Sequence, residues 1–319
     1  MPVWWAGETD RIVVPEAMED GTEWLKREYG LCAGIGYDPG VDRLCPWGWS
    51  PDAVRQFSLA GVPASLLPSD VEVEAMRQLS HRRISIGILS RCGCDIPLPE
   101  ETSDPDRVVS LEAVRPGRYV KSPWSCSGRG VFHALGMPHD VLREKASGII
   151  HRQGSVMVET GFDRVMDFAA LFNSCGGHVE FVGWSVFLTE SRGVYSGNVV
   201  APQWQLVEML TRYVTYGELV RTLDALTQAL SAMIPDVYNG PFGVDMMIFR
   251  SDEGMRIHPC VELNLRMTMG FAAMAVNSRL SLSSPYVMGW RWGDVSSSGI
   301  LLLPPAEGFR LVLSPLELK

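Results

Sequence analysis

Asp245, Glu262 and Asn264 are the residues whose types and spacing could do chemistry together. They lie on two strand-like runs, 243–249 and 255–265, on either side of a Ser-Asp-Glu-Gly turn. Placing residue 245 opposite residue 260 puts Val244, Met246 and Ile248 on one face with Ile257, Val261, Leu263 and Leu265. Strand alternation then sends Asp245, Met247 and Phe249 to the other face, with His258, Cys260, Glu262 and Asn264. Two carboxylates and an amide oxygen are hard ligands that suit Mg²⁺, which takes few protein ligands and completes its octahedron with water and phosphate oxygens. A solvated outer face is the alternative, weakened by the company of Met247, Phe249 and Cys260.

A second feature is a rare lysine. The chain has only four lysines, at 26, 121, 145 and 319. Lys121 closes the strand-like run 118–121 and is followed by Ser-Pro-Trp-Ser-Cys-Ser-Gly-Arg-Gly-Val. A lysine in that setting needs an anionic partner. The small residues from Ser125 to Gly130, with Ser127 and Gly128 among them, can turn backbone N–H groups toward phosphate oxygens. Gly128 and Gly130 allow close approach or a left-handed bend. No Gly-Lys-Ser/Thr is present, so this is not a Walker A loop. A β-turn beside an edge-strand lysine is the plain alternative.

The elements that must position these groups read as alternating strands and helices. A short strand is expected at 11–14 and a helix at 22–29 that ends at Gly30. Ser50 can cap a helix over 51–60. Ser69, with Asp70 and Glu72 in the first turn, caps the next. Pro97, Pro99 and Pro105 mark a break near residue 95. Beyond it come a strand at 118–121, a helix at 140–148, strands at 155–159 and 179–189, and the hairpin. Leu219, Leu223, Leu226, Leu230, Met233 and Ile234 recur at helical spacing before Pro235, as a core-packing helix does.

Composition narrows the function classes. The 319 residues carry 28 basic and 37 acidic side chains, a net charge of −9, which argues against a nucleic-acid or anionic-membrane partner. No apolar run approaches the ~18–20 residues that span a bilayer. The start, MPVWWAGETD, lacks a basic segment followed by an apolar one, so no secretory signal is expected. Seven scattered cysteines, an odd number, fit reduced thiols in the cytoplasm better than a disulfide framework. Cys92-Gly-Cys94 is too tightly spaced for a zinc knuckle.

Taken in order, four segments resemble the ATP-grasp superfamily. Lys121 with SPWSCSGRGV looks like its strand lysine and phosphate loop. GSVMVETGFDRVMDF (154–168) looks like its hinge strand, GPFGVDMMIF (240–249) like the strand with the first metal carboxylate, and VELNLRMTMG (261–270) like its Glu-x-Asn-x-Arg motif. The resemblance implies an α/β (α+β) fold with three parts: a pre-ATP-grasp lobe at 1–78, one ATP-grasp subdomain at 79–152 and a second, with the hairpin, at 153–319. It implies that Lys121 and the loop at Ser125, Ser127 and Gly128 contact ATP phosphates. Glu159, Thr160 and Phe162 would lie beside adenine, Asp167 would accept from the ribose hydroxyls, and Asp245, Glu262 and Asn264 would hold Mg²⁺ (or Mn²⁺). Arg266 would reach the transferred phosphoryl group or a substrate carboxylate.

The family often carries a second lysine where this chain has Leu-Ser-His-Arg-Arg, so Arg82 or Arg83 would substitute, gripping phosphate as a fork rather than a point charge. Ordinary solvated helix arginines are the alternative, and His81 is expected to be structural. The activity implied is an ADP-releasing ligase that activates a carboxylate as an acyl phosphate and joins it to an amine, with an amino acid or peptide as substrate. A phosphotransferase and a non-catalytic nucleotide-binding module are the rivals. Trp47, Trp49, Ser50 and Trp184 are candidates for the second-substrate pocket, with plain core packing as the alternative for the tryptophans. A homodimer is the oligomer the family suggests.

Overall fold

The computed structural model describes residues 1–14, 18–40, 43–125, 130–190, 194–293, 299–304 and 308–316. Ser127 and Gly128 lie outside the described residues. In chain order the elements are β1 (Arg11–Ile12), α1 (Glu19–Tyr29), β2 (Gly34–Ile35), α2 (Pro51–Leu59), α3 (Asp70–Leu79) and α4 (Ile84–Cys92). Next come β3 (Glu100–Thr102), α5 (Pro105–Val114), β4 (Arg118–Lys121), β5 (Val131–His133), α6 (His139–Gln153) and β6 (Val156–Thr160). They are followed by β7 (Asp163–Cys175), β8 (His178–Thr189), β9 (Tyr195–Val200), α7 (Gln203–Thr211) and α8 (Tyr216–Ser231). Last are β10 (Gly240–Ser251), β11 (Gly254–Asn264), α9 (Met269–Leu280), β12 (Tyr286–Trp292), β13 (Ile300–Leu301) and β14 (Phe309–Pro315).

The helix starts follow from local chemistry. The Ser50 hydroxyl accepts the Ala53 N–H at 3.1 Å, ahead of Pro51 at the first helical position. Ser69 and Glu72 form a reciprocal capping box at α3. Helix α6 runs past the expected stop at Gly148 because a lone interior glycine costs only about 1 kcal/mol. It ends at Gly154, where φ is +83°, a left-handed cap that glycine adopts without steric cost.

Two main sheets result. The larger has the order β11-β10-β7-β8-β9-β12-β14-β13, and the smaller β3-β6-β4-β5. Strand β6 lies beyond the expected division at 152/153 yet pairs with β3 and β4, so the small sheet extends to Thr160. Helix α4 precedes the small sheet in sequence but packs on α8 and β11 of the large one. The main core lies between the large sheet and α4, α7 and α8. The N-terminal segment shares a second core with α9, β12 and β14. Trp4 is fully buried there, and its indole N–H donates to the Leu302 carbonyl at 3.0 Å, which accounts for an aromatic without evident chemistry. A third core lies under the small sheet, against α5 and α6.

The hairpin register differs from expectation where it matters. Met247 faces His258 and Ile248 faces Ile257, as the 245/260 pairing requires. An irregularity between Asp245 and Met247 then shifts the partners, so Asp245 stands directly opposite Glu262 rather than Cys260. The shifted stretch contains Pro259, which has no N–H to give the ladder and lies on the edge strand β11, where a bulge accommodates it. The bulge also turns Cys260 into the main core, while Val261 lines the cleft described below. Both reverse the expected facing.

Candidate active site

A cleft of about 770 Å³ opens between the small sheet and the large one. Lys121 and Glu159 reach it from β4 and β6, while Asp245, Glu262 and Asn264 reach it from the hairpin. The lysine ammonium and the three oxygen-bearing side chains therefore face a common space, as the sequence reading requires.

On the small sheet, Lys121 pairs with Met157 and Tyr119 with Glu159, so Lys121 and Glu159 are diagonal neighbours on one face. Lys121 Nζ lies 2.5 Å from Glu159 Oε2, with both side chains largely buried. The anion this lysine needs is supplied by the protein itself. Glu159, expected beside adenine, is thus engaged with Lys121, while Thr160 and Phe162 line the cleft next to it. Gly161 is required here, because a Cβ would come within 2.2 Å of the Gly117 carbonyl oxygen. Phe162 packs on Phe249, which is buried in the main core behind the cleft wall.

On the hairpin, burial and the facing Glu262 push the Asp245 carboxyl up to about 7, an effect that Asn264 and Arg266 partly offset. Arg82 Nη2 lies 2.9 Å from Glu262 Oε2 and 2.8 Å from Ser125 Oγ. Arg266 Nη2 donates to Asn264 Oδ1 at 3.0 Å. Among the described residues, no group of three or more His, Cys, Asp or Glu is arranged to hold a metal. The candidate donor set is two carboxylates with an amide.

Arg82 and Arg83 separate clearly. Arg82 is buried and lines the cleft, whereas Arg83 is half-exposed and pairs with Glu101 at 3.3 Å. His81 is fully buried and accepts the Arg83 N–H at its Nδ1, and burial lowers its pKa.

The fold has well-defined counterparts among solved structures. Biotin carboxylase from Campylobacter jejuni, in a β-γ-ATP complex, superposes with a TM-score of 0.61 at 12% identity, covering 95% of this chain and 80% of that one. Carboxyaminoimidazole ribonucleotide synthase from Aspergillus clavatus, complexed with ATP, gives 0.56 at 14% identity, covering 98% and 94%. Phosphoribosylamine–glycine ligase from Thermotoga maritima gives 0.56 at 12% identity, covering 95% and 89%. The chain has the ATP-grasp fold. No family model matches the sequence, and no curated protein does.

Within the cleft, Asp167 lies on β7, where it accepts from Thr189 Oγ1 at 2.6 Å and Arg164 at 2.8 Å. Burial raises its pKa, and those two partners oppose the rise. Of the proposed second-substrate residues, Trp47 lines the cleft. Trp184 does not. It is buried in the main core against Phe168 and Phe181. Trp49 packs on Phe57, and Ser50 is occupied as a helix cap.

Several cleft residues escaped the sequence reading. Tyr195 donates to Asn198 Oδ1 and Asn198 Nδ2 to Ser185 Oγ, each at 2.6 Å, forming a polar chain along the far wall. Gly270 packs against that wall, and a Cβ there would lie 2.7 Å from Ser185 Oγ. Strand alternation gives no sign of the Asn198–Ser185 contact, which depends on the pairing of β8 with β9. His258 lines the cleft on the face that strand alternation gives it. It is buried, and its Nδ1 has no partner.

Proposed function

We propose that this chain is an ATP- and Mg²⁺-dependent ligase that joins a carboxylate to an amine through an acyl phosphate. The observation that carries the reading is the meeting of Lys121, Arg82 and Arg266 with Asp245, Glu262 and Asn264 on one cleft between two sheets. The named neighbours support it. One is a biotin carboxylase in a β-γ-ATP complex, one a synthase complexed with ATP, and one a ligase of phosphoribosylamine and glycine.

The donor set fits Mg²⁺ chemically. Two carboxylates face each other across neighbouring strands, where like charges repel, and the repulsion favours a cation held between hard oxygens. Asp245, Glu262 and Asn264 would hold that ion, with Mn²⁺ as its substitute. When bound it supplies charge neutralisation to the phosphate oxygens. Lys121 and Arg82, with the segment that starts at Ser125, would hold the phosphates. Thr160, Phe162 and Met247 would wall the adenine, and Glu159 would orient Lys121 beside it. Asp167 would accept from the ribose.

The reaction itself asks for positioning and electrostatics rather than a protein nucleophile. A carboxylate oxygen of the substrate attacks the γ-phosphorus as the bond to the ADP oxygen breaks. An amine nitrogen then attacks the acyl carbon, phosphate leaves, and the amine gives up a proton. Arg266 would lie against the charge that develops on the transferred group.

A cytoplasmic location and a homodimer complete the reading. Among the described residues no helix is long and apolar enough to cross a membrane. The test is ADP release with ATP, Mg²⁺ and a panel of amino acids, small peptides and simple carboxylates, each with and without an amine. The ligase reading predicts ADP release that yields an amide only when both substrates are present. A phosphorylated product that accumulates as the end point with amine present would make the chain a phosphotransferase. Nucleotide binding without turnover across the panel would make it a binding module.

A further inference from the structure

One of the two facing carboxylates is paired with a cation of the protein itself. Arg82 Nη2 sits 2.9 Å from Glu262 Oε2, and the arginine side chain is only 6% exposed. Glu262 in turn faces Asp245, its direct cross-strand partner. Two opposed carboxylates in a secluded site need positive charge, and Arg82 supplies it to Glu262, one of the residues that would hold a divalent ion. The other nearby cations are differently engaged, Arg266 on Asn264 and Lys121 on Glu159.

The same arginine is incompletely satisfied. Its Nε–H is buried with no partner, and its second contact is the neutral Ser125 hydroxyl. Its backbone is fixed, with the N–H donating to the Pro123 carbonyl and the carbonyl accepting from Ser85 Oγ. Ser125 stands at the edge of the small-residue segment expected to bind phosphate. A phosphate group offers a guanidinium forked, charged acceptors that a serine hydroxyl cannot.

We propose that Arg82 is an internal counter-ion that keeps Glu262 closed to divalent ions until nucleotide phosphates take the guanidinium over, so that metal and nucleotide load together. This rests on the ligase reading for the presence of a nucleotide and a metal, and adds what Arg82 does before either arrives. Because the coupling is a binding free energy, it is reciprocal: nucleotide opens the metal site, and an occupied metal site frees Arg82 for nucleotide.

The test uses Mn²⁺ as the probe, its binding to the full chain followed by the enhancement of water-proton relaxation that a protein-held ion produces and a small nucleotide complex does not. Three proteins are compared without nucleotide and with a non-hydrolysable ATP analogue: wild type, Arg82→Gln and Arg82→Met. The methionine variant keeps the apolar stem, so it guards against a packing defect in the glutamine variant. Without nucleotide, both variants should bind Mn²⁺ at least about tenfold more tightly than wild type, because removing one partner of a buried pair leaves a charge seeking a cation. Adding Asp245→Asn to Arg82→Gln should abolish the gain, which places the ion on the hairpin. Arg82→Lys, which keeps a cation, should stay near wild type. If wild type binds Mn²⁺ without nucleotide as tightly as both variants do, the proposal is overturned while the ligase reading stands. If no protein binds Mn²⁺ even with the analogue, the ligase reading fails and takes the proposal with it.

Discussion

Lys121 and Glu159 are joined diagonally across β4 and β6, ammonium to carboxylate at 2.5 Å, at the wall of the cleft. The pair serves two ends, folding and nucleotide binding, and a double-mutant cycle separates them. Lys121→Ala should weaken binding of an ATP analogue about tenfold or more by calorimetry. It should also lower stability by roughly 3 kcal/mol, because Glu159 is left buried without its partner. Adding Glu159→Gln should restore most of the stability and none of the affinity. Full recovery of affinity in the double variant would show that Lys121 has only a structural role.

The facing carboxylates make an opposite prediction for stability. Asp245 has its pKa raised to about 7 in the folded chain by burial and by Glu262. The folded state therefore binds the extra proton between the usual carboxylate range and about 7, and stability falls as pH rises through that window. Asp245→Asn should raise the Tm of the metal-free protein at pH 8 by roughly 2–4 °C, a gain of about 1 kcal/mol. The same variant, like Glu262→Gln and Asn264→Ala, should lose ATP consumption. A variant that lost both stability and turnover would point to a purely structural hairpin.

His258 gives the opposite pH dependence. Burial lowers its pKa to about 4, outweighing the attraction of Glu159. An unfolded histidine takes up a proton near 6.5, whereas the folded one stays neutral until about 4. The unfolded state thus binds the extra proton in that window, and stability falls as pH drops through it, by up to about 3 kcal/mol. Urea denaturation between pH 7 and 4 should show this slope in wild type and a shallower one in His258→Gln. Equal slopes would assign the acid sensitivity to other groups.

Arg266 is held by Asn264 and by the Met267 carbonyl, with its stem against Gly48. Placed at the transferred group, it would act on developing charge, so Arg266→Ala should lower kcat by about a hundredfold or more with little change in ATP affinity. The reverse pattern, lost affinity with kcat preserved, would make it a nucleotide clamp.

The parts legible in the sequence are those fixed by short-range chemistry. Ser50 and Ser69 announced their helices because capping is local. Asp245, Glu262 and Asn264 were placed on one face because strand alternation has a period of two. The register differs from simple alternation, since a bulge around Pro259 depends on the edge-strand context of β11. Trp184 looked like a pocket residue because an isolated tryptophan carries no mark of which side of a sheet is covered. Arg82 and Arg83 were indistinguishable as neighbours, and only tertiary packing turned the first toward Glu262 and the second toward Glu101. In the Tyr195–Asn198–Ser185 chain the first link lies within β9, and the second depends on the pairing of β9 with β8.

The central claim is that one cleft brings a nucleotide's phosphates between Lys121 and the hairpin carboxylates. A crystal structure with a non-hydrolysable ATP analogue and Mg²⁺ tests it most directly. The account predicts phosphates contacting Lys121, an ion on Asp245 and Glu262, and the Arg82 guanidinium moved from Glu262 to phosphate. A nucleotide bound elsewhere, or an ion that touches neither carboxylate, would contradict it.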